Sequence, residues 1–220
     1  MQKFVQGVST FHERGAQEVK PLLAHLAKYG QRPQAFLITC ADSRIMPEEL
    51  TQADPGDLFV VRNIGNLVPH VDSARAGTDT SVAAAIDFTL ITLNVKDIVV
   101  MGHSGCGAME ALLAGESPSG HVNRWLRHAK PAMARYREGY LQKADLNEVD
   151  RLSQTNVLAS LENLATYDAV IERLDRGELN LHAWWFDVAN AQVLAYSAAV
   201  DGFVLLDEAY EAADGSRTSA

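Results

Sequence analysis

Three side chains of the kind that bind soft metal ions lie near the ends of predicted strands: Cys40, His103 and Cys106. Cys40 ends the apolar run AFLITC, His103 directly follows the run DIVVMG, and Cys106 comes three positions later. Two thiolates and one imidazole suit zinc, and three protein ligands leave the fourth tetrahedral position open for a water molecule. The pattern therefore predicts one catalytic Zn²⁺ per chain, although a free cysteine at a strand end is also common as a small core residue.

A carboxylate and a guanidinium follow the first cysteine at alternate positions, as Asp42 and Arg44. If this segment is extended, both side chains project on the same side as Cys40. The guanidinium of arginine matches a carboxylate with two parallel hydrogen bonds. We therefore expect a pair that keeps Asp42 ionised and aimed at the metal. The alternative is a solvated surface ion pair with little effect.

The elements that must position these residues follow from the alternation of apolar runs and helical periodicity. Residues 35–40, 58–63 and 97–102 are apolar almost throughout and predict buried strands, and residues 78–93 predict a helix before the third strand. Strands of this kind that alternate with helices indicate a parallel sheet covered on both faces. Ligands bind such sheets at the carboxyl ends of the strands, which is where the candidate metal ligands fall.

The rest of the chain adds helices and two more strands around this centre. An apolar pattern at 3–29 predicts an N-terminal helical segment that Pro21 breaks into two pieces. Further predicted elements are helices at 108–113, 121–136 and 154–176, the last ended by Gly177, and strands in LHAWWFDV and QVLAYSA. We expect an α/β fold with a central, mostly parallel β-sheet flanked by helices. The expected single domain spans 1–220, with an N-terminal helical arm at 1–30 and a mobile tail at 212–220.

Composition limits the partners that this chain is expected to have. The 220 residues are 47% hydrophobic and 21% charged, which is ordinary for a globular protein. The formal net charge of −9 argues against nucleic acid or an anionic membrane surface as a partner. The sequence shows no apolar stretch of membrane-spanning length and no apolar signal segment at its start. We therefore expect a cytoplasmic location, where two thiols are core residues, redox groups or metal ligands.

Three segments together resemble the β-class carbonic anhydrases of bacterial type: CADSR at 40–44, ADPGDLFVVRNIGNLVP at 53–69 and DIVVMGHSGCGAM at 97–109. The resemblance implies that the two cysteines and the histidine of these segments bind zinc. It also implies that Asp42 and Arg44 form a catalytic dyad.

The resemblance further indicates which residues line a substrate pocket: Gln31, Phe59 and Phe88. Phe88 stands where the family commonly has tyrosine, so one polar contact is expected to be absent. The backbone N–H groups of the loop at 42–44 or of Gly102 are candidate donors to the oxyanion that develops during the reaction.

The activity implied by the resemblance is that of a zinc lyase that hydrates carbon dioxide reversibly to bicarbonate and a proton. Zinc-bound hydroxide would attack carbon dioxide, with Asp42 orienting the hydroxide and Arg44 fixing Asp42. Two alternatives are hydrolysis of carbonyl sulfide or carbon disulfide on the same scaffold, and a non-enzymatic zinc or redox module that uses the cysteines as a thiol pair. The family also implies a homodimer, or a tetramer built from dimers, with the N-terminal helices against the neighbour.

One subtype of the family is regulated, and its pattern is incomplete in this chain. In that subtype the dyad breaks at lower pH, the aspartate moves onto the metal, and a bicarbonate pocket of tryptophan, arginine and tyrosine stabilises the closed state. The matching positions here are Leu37, Arg62 and Phe186, so only the arginine is kept. Leucine and phenylalanine lack the N–H and O–H that would hold the anion. We therefore expect the open-site subtype, with Asp42 paired to Arg44.

Overall fold

A six-stranded β-sheet forms the centre of the fold in the computed structural model, which describes residues 1–115, 117, 119–141 and 146–217, with side chains up to Glu211. The strands are β1 (Ala35–Cys40), β2 (Leu58–Asn63), β3 (Asp97–His103), β4 (Asn180–Asp187), β5 (Gln192–Ser197) and β6 (Gly202–Leu205). Their order in the sheet is β2-β1-β3-β4-β5-β6. The first four strands are parallel, and β5 and β6 are added antiparallel. The predicted α/β fold class, with a mostly parallel central sheet, is confirmed.

Helices connect and cover the strands. They are α1 (Gln2–Thr10), α2 (Ala16–Tyr29), α3 (Pro47–Thr51), α4 (Val71–Arg75), α5 (Thr80–Asp87), α6 (Gly107–Leu113), α7 (Gly120–Trp125), α8 (Lys130–Arg137), α9 (Glu148–Leu164), α10 (Asp168–Asp175) and α11 (Leu206–Arg217). Two π-helical turns continue α1 and α5, at Phe11–Gly15 and Phe88–Thr92, and a 3-10 turn at Leu126–Ala129 joins α7 to α8.

Both faces of the central strands β1 and β3 are buried, which explains why these strands are apolar without alternation. On one face, Phe36 and Ile98 pack in a cluster with residues of α5 and α9. On the other face, Leu37 and Val99 pack with Phe186 of β4 and with the loop after β1. Residues on either side of each strand are therefore held in place, and the strand ends become a rigid base for the loops that follow them.

The N-terminal arm is helical, but the prediction that Pro21 breaks it is wrong. α2 continues through Pro21, and the irregular turn lies earlier, at Phe11–Gly15. Proline removes one backbone N–H and leaves the carbonyl of Gln17 without its helical donor. Both residues are exposed, so water can bond to that carbonyl and the helix continues.

The long helix predicted at 154–176 is in fact two helices, α9 and α10, with an earlier start. Asn147 caps α9, because its Oδ1 accepts the backbone N–H of Asp150 at 2.9 Å. The turn between the helices is fixed by a tertiary contact, in which the Tyr167 hydroxyl donates to the carbonyl of Pro69 at 2.8 Å. Helical periodicity in the sequence does not indicate that contact, so the break between α9 and α10 was not predicted.

Other element boundaries near the C-terminus also differ from the predictions. The helix predicted at 121–136 is three short pieces: α7, the 3-10 turn and α8, which has Pro131 in its first turn. Gly177 follows α10 with a φ of 66°, as predicted for the end of a helix. β6 and α11 were not predicted.

The predicted domain limits remain predictions. Of the tail at 212–220, residues 212–217 continue α11 and residues 218–220 lie outside the described part of the chain, so its mobility stays a prediction. The same holds for a single domain over 1–220. In the described residues, no helix combines the length and the apolar character needed to cross a membrane.

Candidate metal centre

Two strand ends and one helix start bring the three candidate metal ligands together. Cys40 is the last residue of β1, His103 is the last residue of β3, and Cys106 is the N-cap residue of α6. Because β1 and β3 are parallel neighbours, their carboxyl ends lie side by side. One ligand atom from each residue lies within 4.8 Å of the others, and all three side chains are buried.

The imidazole of His103 is oriented for a metal ion. Its Nδ1 lies 2.9 Å from the carbonyl oxygen of Ser104, which can only accept, so Nδ1 carries the proton. Its Nε2 is buried and has no hydrogen-bond partner among the described residues. A buried nitrogen lone pair without a partner is costly, and a metal ion at the centre of the cluster would use it. The donor set therefore fits zinc.

The two cysteines are free thiols, and a hydrogen bond joins their side chains. A hydrogen bond from Cys106 lowers the pKa of the Cys40 thiol, and the hydrogen bonds of the surrounding backbone act in the same direction. The same thiol–thiol contact, together with burial, raises the pKa of Cys106. A bound zinc ion would replace the thiol protons, since zinc binds cysteine as thiolate.

Asp42 and Arg44 form a bidentate pair beside the cluster. The Nε of Arg44 donates to Asp42 Oδ1 at 2.9 Å, and its terminal nitrogen donates to Oδ2 at 2.7 Å. The hydrogen bond from the Arg44 side chain lowers the pKa of the Asp42 carboxyl well below its usual range. Asp42 Oδ2 lies 3.9 Å from His103 Nε2, so the carboxylate borders the metal site.

The pair forms in a turn, and the expectation of an extended segment was wrong. The N–H of Ile45 donates to the carbonyl of Asp42 at 3.1 Å, and the N–H of Arg44 donates to Asp42 Oδ1 at 2.9 Å. An aspartate that bonds to the backbone two residues later stabilises this kind of turn. The turn, rather than strand alternation, therefore brings the two side chains together.

Arg62 holds the loop that carries the pair. Its Nε donates to the carbonyl of Cys40 at 3.2 Å, and a terminal nitrogen donates to those of Asp42 and Ile45 at 2.7 and 3.0 Å. The sequence marked Arg62 only as part of an incomplete bicarbonate pocket. Its bonds to three carbonyls could not be read from the sequence, because they depend on the path of the loop.

Two further groups near the site were missed. Arg44 also donates to the carbonyl of Gly105 at 2.9 Å, and the N–H of Gly105 donates to Asp150 at 2.6 Å. Gly105 has a φ of +59°, a conformation that favours glycine. That glycine was visible between the histidine and the second cysteine, whereas nothing in the sequence distinguishes Asp150 from surface acids.

The four predicted pocket residues fall into separate environments. Phe59 and Phe88 contact each other, with ring centroids 5.8 Å apart, and 43% of Phe88 is exposed. Gln31 is exposed on the loop before β1. A side chain at Gly102 would meet Val157 of α9 at 2.7 Å, so that face of the glycine is packed against a helix. The pocket roles of all four residues stay predictions.

Comparison with known proteins agrees on one family over the segment that carries the site. The family model described as "Carbonic anhydrase" matches residues 35–193. A carbonic anhydrase of Pseudomonas aeruginosa is 37% identical over 212 residues, which cover 94% of this chain and 93% of that protein. Among solved structures, the β-carbonic anhydrase CcaA has a TM-score of 0.84 at 35% identity, covering 93% of this chain and 98% of that one. A structure from a study of two tetrameric β-carbonic anhydrases of Sordaria macrospora has a TM-score of 0.77 at 28% identity, covering 89% and 97%.

Proposed function

We propose, since this chain belongs to the β class of carbonic anhydrases, that it hydrates carbon dioxide with one Zn²⁺ held by Cys40, His103 and Cys106. Reversible conversion of carbon dioxide and water to bicarbonate and a proton is the general activity of that family. The observation that carries the metal assignment is the buried Nε2 of His103, which faces two thiols and has no other partner among the described residues.

The residues around the metal position have distinct parts in this proposal. Zinc, when bound, supplies a Lewis acid that makes hydroxide available from water near neutral pH. The Asp42 carboxylate accepts a hydrogen bond from the attacking oxygen and so aims its lone pair at the carbon atom. Arg44 restrains that carboxylate through two hydrogen bonds and keeps it ionised. The rings of Phe59 and Phe88 supply an apolar surface for carbon dioxide.

We also propose a homo-oligomer, either a dimer or a tetramer built from two dimers. The support is an exposed apolar stripe on the N-terminal arm, defined by Phe4, Val5, Val8 and Phe11. These side chains are between 46% and 68% exposed, which a second copy of the chain would cover. The Sordaria macrospora proteins are tetrameric, which supports the same reading. A cytoplasmic location stays a prediction from the sequence.

Metal analysis combined with a stopped-flow hydration assay tests the function. We expect one zinc ion per chain and rapid hydration, both lost in Cys106→Ser, because two remaining ligands hold zinc poorly. His12→Asn, which removes an exposed histidine, is the matched control and should keep both. Full zinc retention by Cys106→Ser would contradict the ligand assignment. Parallel assays with carbonyl sulfide and carbon disulfide separate the substrate alternative, and disulfide formation without hydration would favour a redox module.

A further inference from the structure

A buried carboxylate lies behind the metal site. Asp150, in the first turn of α9, is the one acidic residue that is buried among the described side chains, with 8% of its surface exposed. Burial of a charged carboxylate is costly unless hydrogen bonds replace its water. Its Oδ1 accepts the N–H of Gly105 at 2.6 Å, and its Oδ2 accepts the side-chain amide of Asn147 at 2.8 Å. The shorter of these bonds is directed at the loop that carries two metal ligands.

One peptide group connects Asp150 to the imidazole of His103. The N–H of Gly105 belongs to the same amide as the carbonyl of Ser104. That carbonyl accepts the Nδ1–H of His103 at 2.9 Å. A carboxylate bonded to the N–H end of an amide increases the negative charge on its carbonyl oxygen, because hydrogen bonds in a chain polarise one another. The carbonyl is therefore a stronger acceptor for the imidazole than an isolated one would be.

We propose that Asp150 is a positioning residue for the metal ligand His103 and acts through the Ser104–Gly105 peptide. This inference rests on the proposed function. Metal-binding histidines generally donate their second N–H to a carboxylate or a carbonyl, which fixes the tautomer and the ring orientation. In this chain the carboxylate reaches the histidine through one amide. It holds the proton on Nδ1 and leaves the Nε2 lone pair directed at the two cysteines.

A second contact from the same helix supports this role for α9. The hydroxyl of Ser153 donates to the backbone carbonyl of His103 at 2.8 Å, and the indole N–H of Trp185 donates to that hydroxyl at 3.1 Å. The start of α9 therefore fixes both the backbone of His103, directly, and its side chain, through the amide. A displacement of this helix would move the ligand and its ring together.

The test compares Asp150→Asn with Glu148→Gln, in the full-length protein. Both changes remove one negative charge from the first turn of α9, but Glu148 is exposed and bonds to the Tyr136 hydroxyl instead of the metal loop. Zinc affinity is measured by competition between the metal-free protein and a chromophoric chelator. We expect Asp150→Asn to weaken zinc binding by about 10- to 100-fold and Glu148→Gln to leave it unchanged. The nitrogen-15 spectrum of His103 should show a weaker Nδ1–H hydrogen bond only in Asp150→Asn.

A purely structural role for Asp150 predicts a different result. In that case Asp150→Asn lowers the melting temperature but binds zinc like the wild type and keeps the His103 signal unchanged, which would overturn the inference. If Asp150→Asn does not fold, the test is the NMR chemical shift of the Gly105 amide proton in the wild type. A short hydrogen bond to a carboxylate moves that shift strongly downfield. An ordinary shift there would overturn the inference as well. Absence of zinc or hydration in the wild type would instead contradict the proposed function.

Discussion

At the residue scale, Asp42 is the side chain whose loss should affect the reaction without affecting the metal. Its carboxylate is held by Arg44 on one side and borders His103 on the other. Arg44 lowers the pKa of this carboxyl in the folded protein. The pair therefore stabilises the fold fully at any pH above the pKa of the unfolded side chain, which is about 3.9. That contribution is lost only as the pH falls through the lower folded value. The pair is therefore intact throughout the range in which hydration is assayed.

We predict that Asp42→Ala lowers kcat on the order of 10²-fold and keeps one zinc ion per chain. The reason is that the attacking oxygen loses the acceptor that orients it, while the three metal ligands stay in place. Stopped-flow hydration and metal analysis on the same preparation measure both quantities. Asp72→Ala removes an acid that is 76% exposed and should behave like the wild type. A fully active Asp42→Ala protein would rule out the orienting role.

A functional residue can be predicted from the sequence when the chemistry of its side chain identifies it. It cannot be predicted when its role depends on contacts that form only in the folded chain. The grouping of Cys40, His103 and Cys106 was predictable, because soft donors near strand ends are visible in the sequence. Asp150 was not, since it lies 45 positions after Gly105 and reaches it only through the packing of α9. The contribution of Arg62 was hidden for the same reason, as its partners are backbone carbonyls that have no sequence signature.

At the element scale, strands β1 to β5 were predicted almost to the residue, whereas β6 was missed and the helix limits were not predicted. A parallel strand buried on both faces is marked by a continuous apolar run, and AFLITC begins and ends where its run does. LFVVRN also keeps its predicted bounds, although β2 lies at the edge of the sheet and is only partly buried. Helix limits depend instead on caps and tertiary contacts. α9 begins at a cap in a charged segment, and its end is fixed by the bond between Tyr167 and Pro69.

The hydrogen bond between Tyr167 and Pro69 leads to a prediction for unfolding at alkaline pH. Burial raises the pKa of Tyr167 to about 12, whereas the unfolded side chain titrates at about 10. The folded state therefore keeps the proton to a higher pH than the unfolded state. The contribution of Tyr167 to the free energy of unfolding is complete below pH 10 and is lost as the pH rises towards 12. In Tyr167→Phe this loss cannot occur, although the variant should be less stable at pH 7 by about 1 kcal/mol for the missing hydrogen bond.

Urea unfolding of both proteins at pH 8 and at pH 12 measures the difference. We expect the stability advantage of the wild type to shrink by roughly 2–3 kcal/mol across that range, or to reverse. Comparison with the phenylalanine variant cancels the titration of all other groups. An advantage that is the same at both pH values would show that Tyr167 does not keep its proton in the folded state.

At the scale of the whole molecule, the apolar stripe on the N-terminal arm predicts how the chain assembles. We expect Val8→Glu to shift the protein towards smaller species, because a charge replaces an apolar side chain worth roughly 1.5–3 kcal/mol when buried. Light scattering after size-exclusion chromatography measures the mass. Gln6→Glu adds the same charge at a polar position of α1 and is the control. A wild-type chain that elutes as a monomer would contradict the proposed assembly.

The response to bicarbonate is a second property of the whole molecule, and it depends on the three positions that match the anion pocket of the regulated subtype. Leu37 and Phe186 are 1% and 4% exposed and pack in one apolar cluster with Val99. Arg62, the third position, bonds to the carbonyls of Cys40, Asp42 and Ile45. An anion placed here would find apolar side chains and an arginine already engaged, so its lost hydration would go uncompensated.

Bicarbonate should therefore leave the pairing of Asp42 with Arg44 unchanged, because an effector shifts an equilibrium only by its differential affinity for the two states. Crystals grown near neutral pH with and without bicarbonate should show the same pairing of Asp42 with Arg44. Activity should decline gradually as the pH is lowered, without a sigmoidal loss. A double variant, Leu37→Trp with Phe186→Tyr, restores the two missing donors and is the matched comparison. If bicarbonate breaks the Asp42–Arg44 pair only in the double variant, these two positions determine the subtype. Asp42 bound to the metal in the wild type, with Arg44 turned away, would show instead that closure needs neither donor.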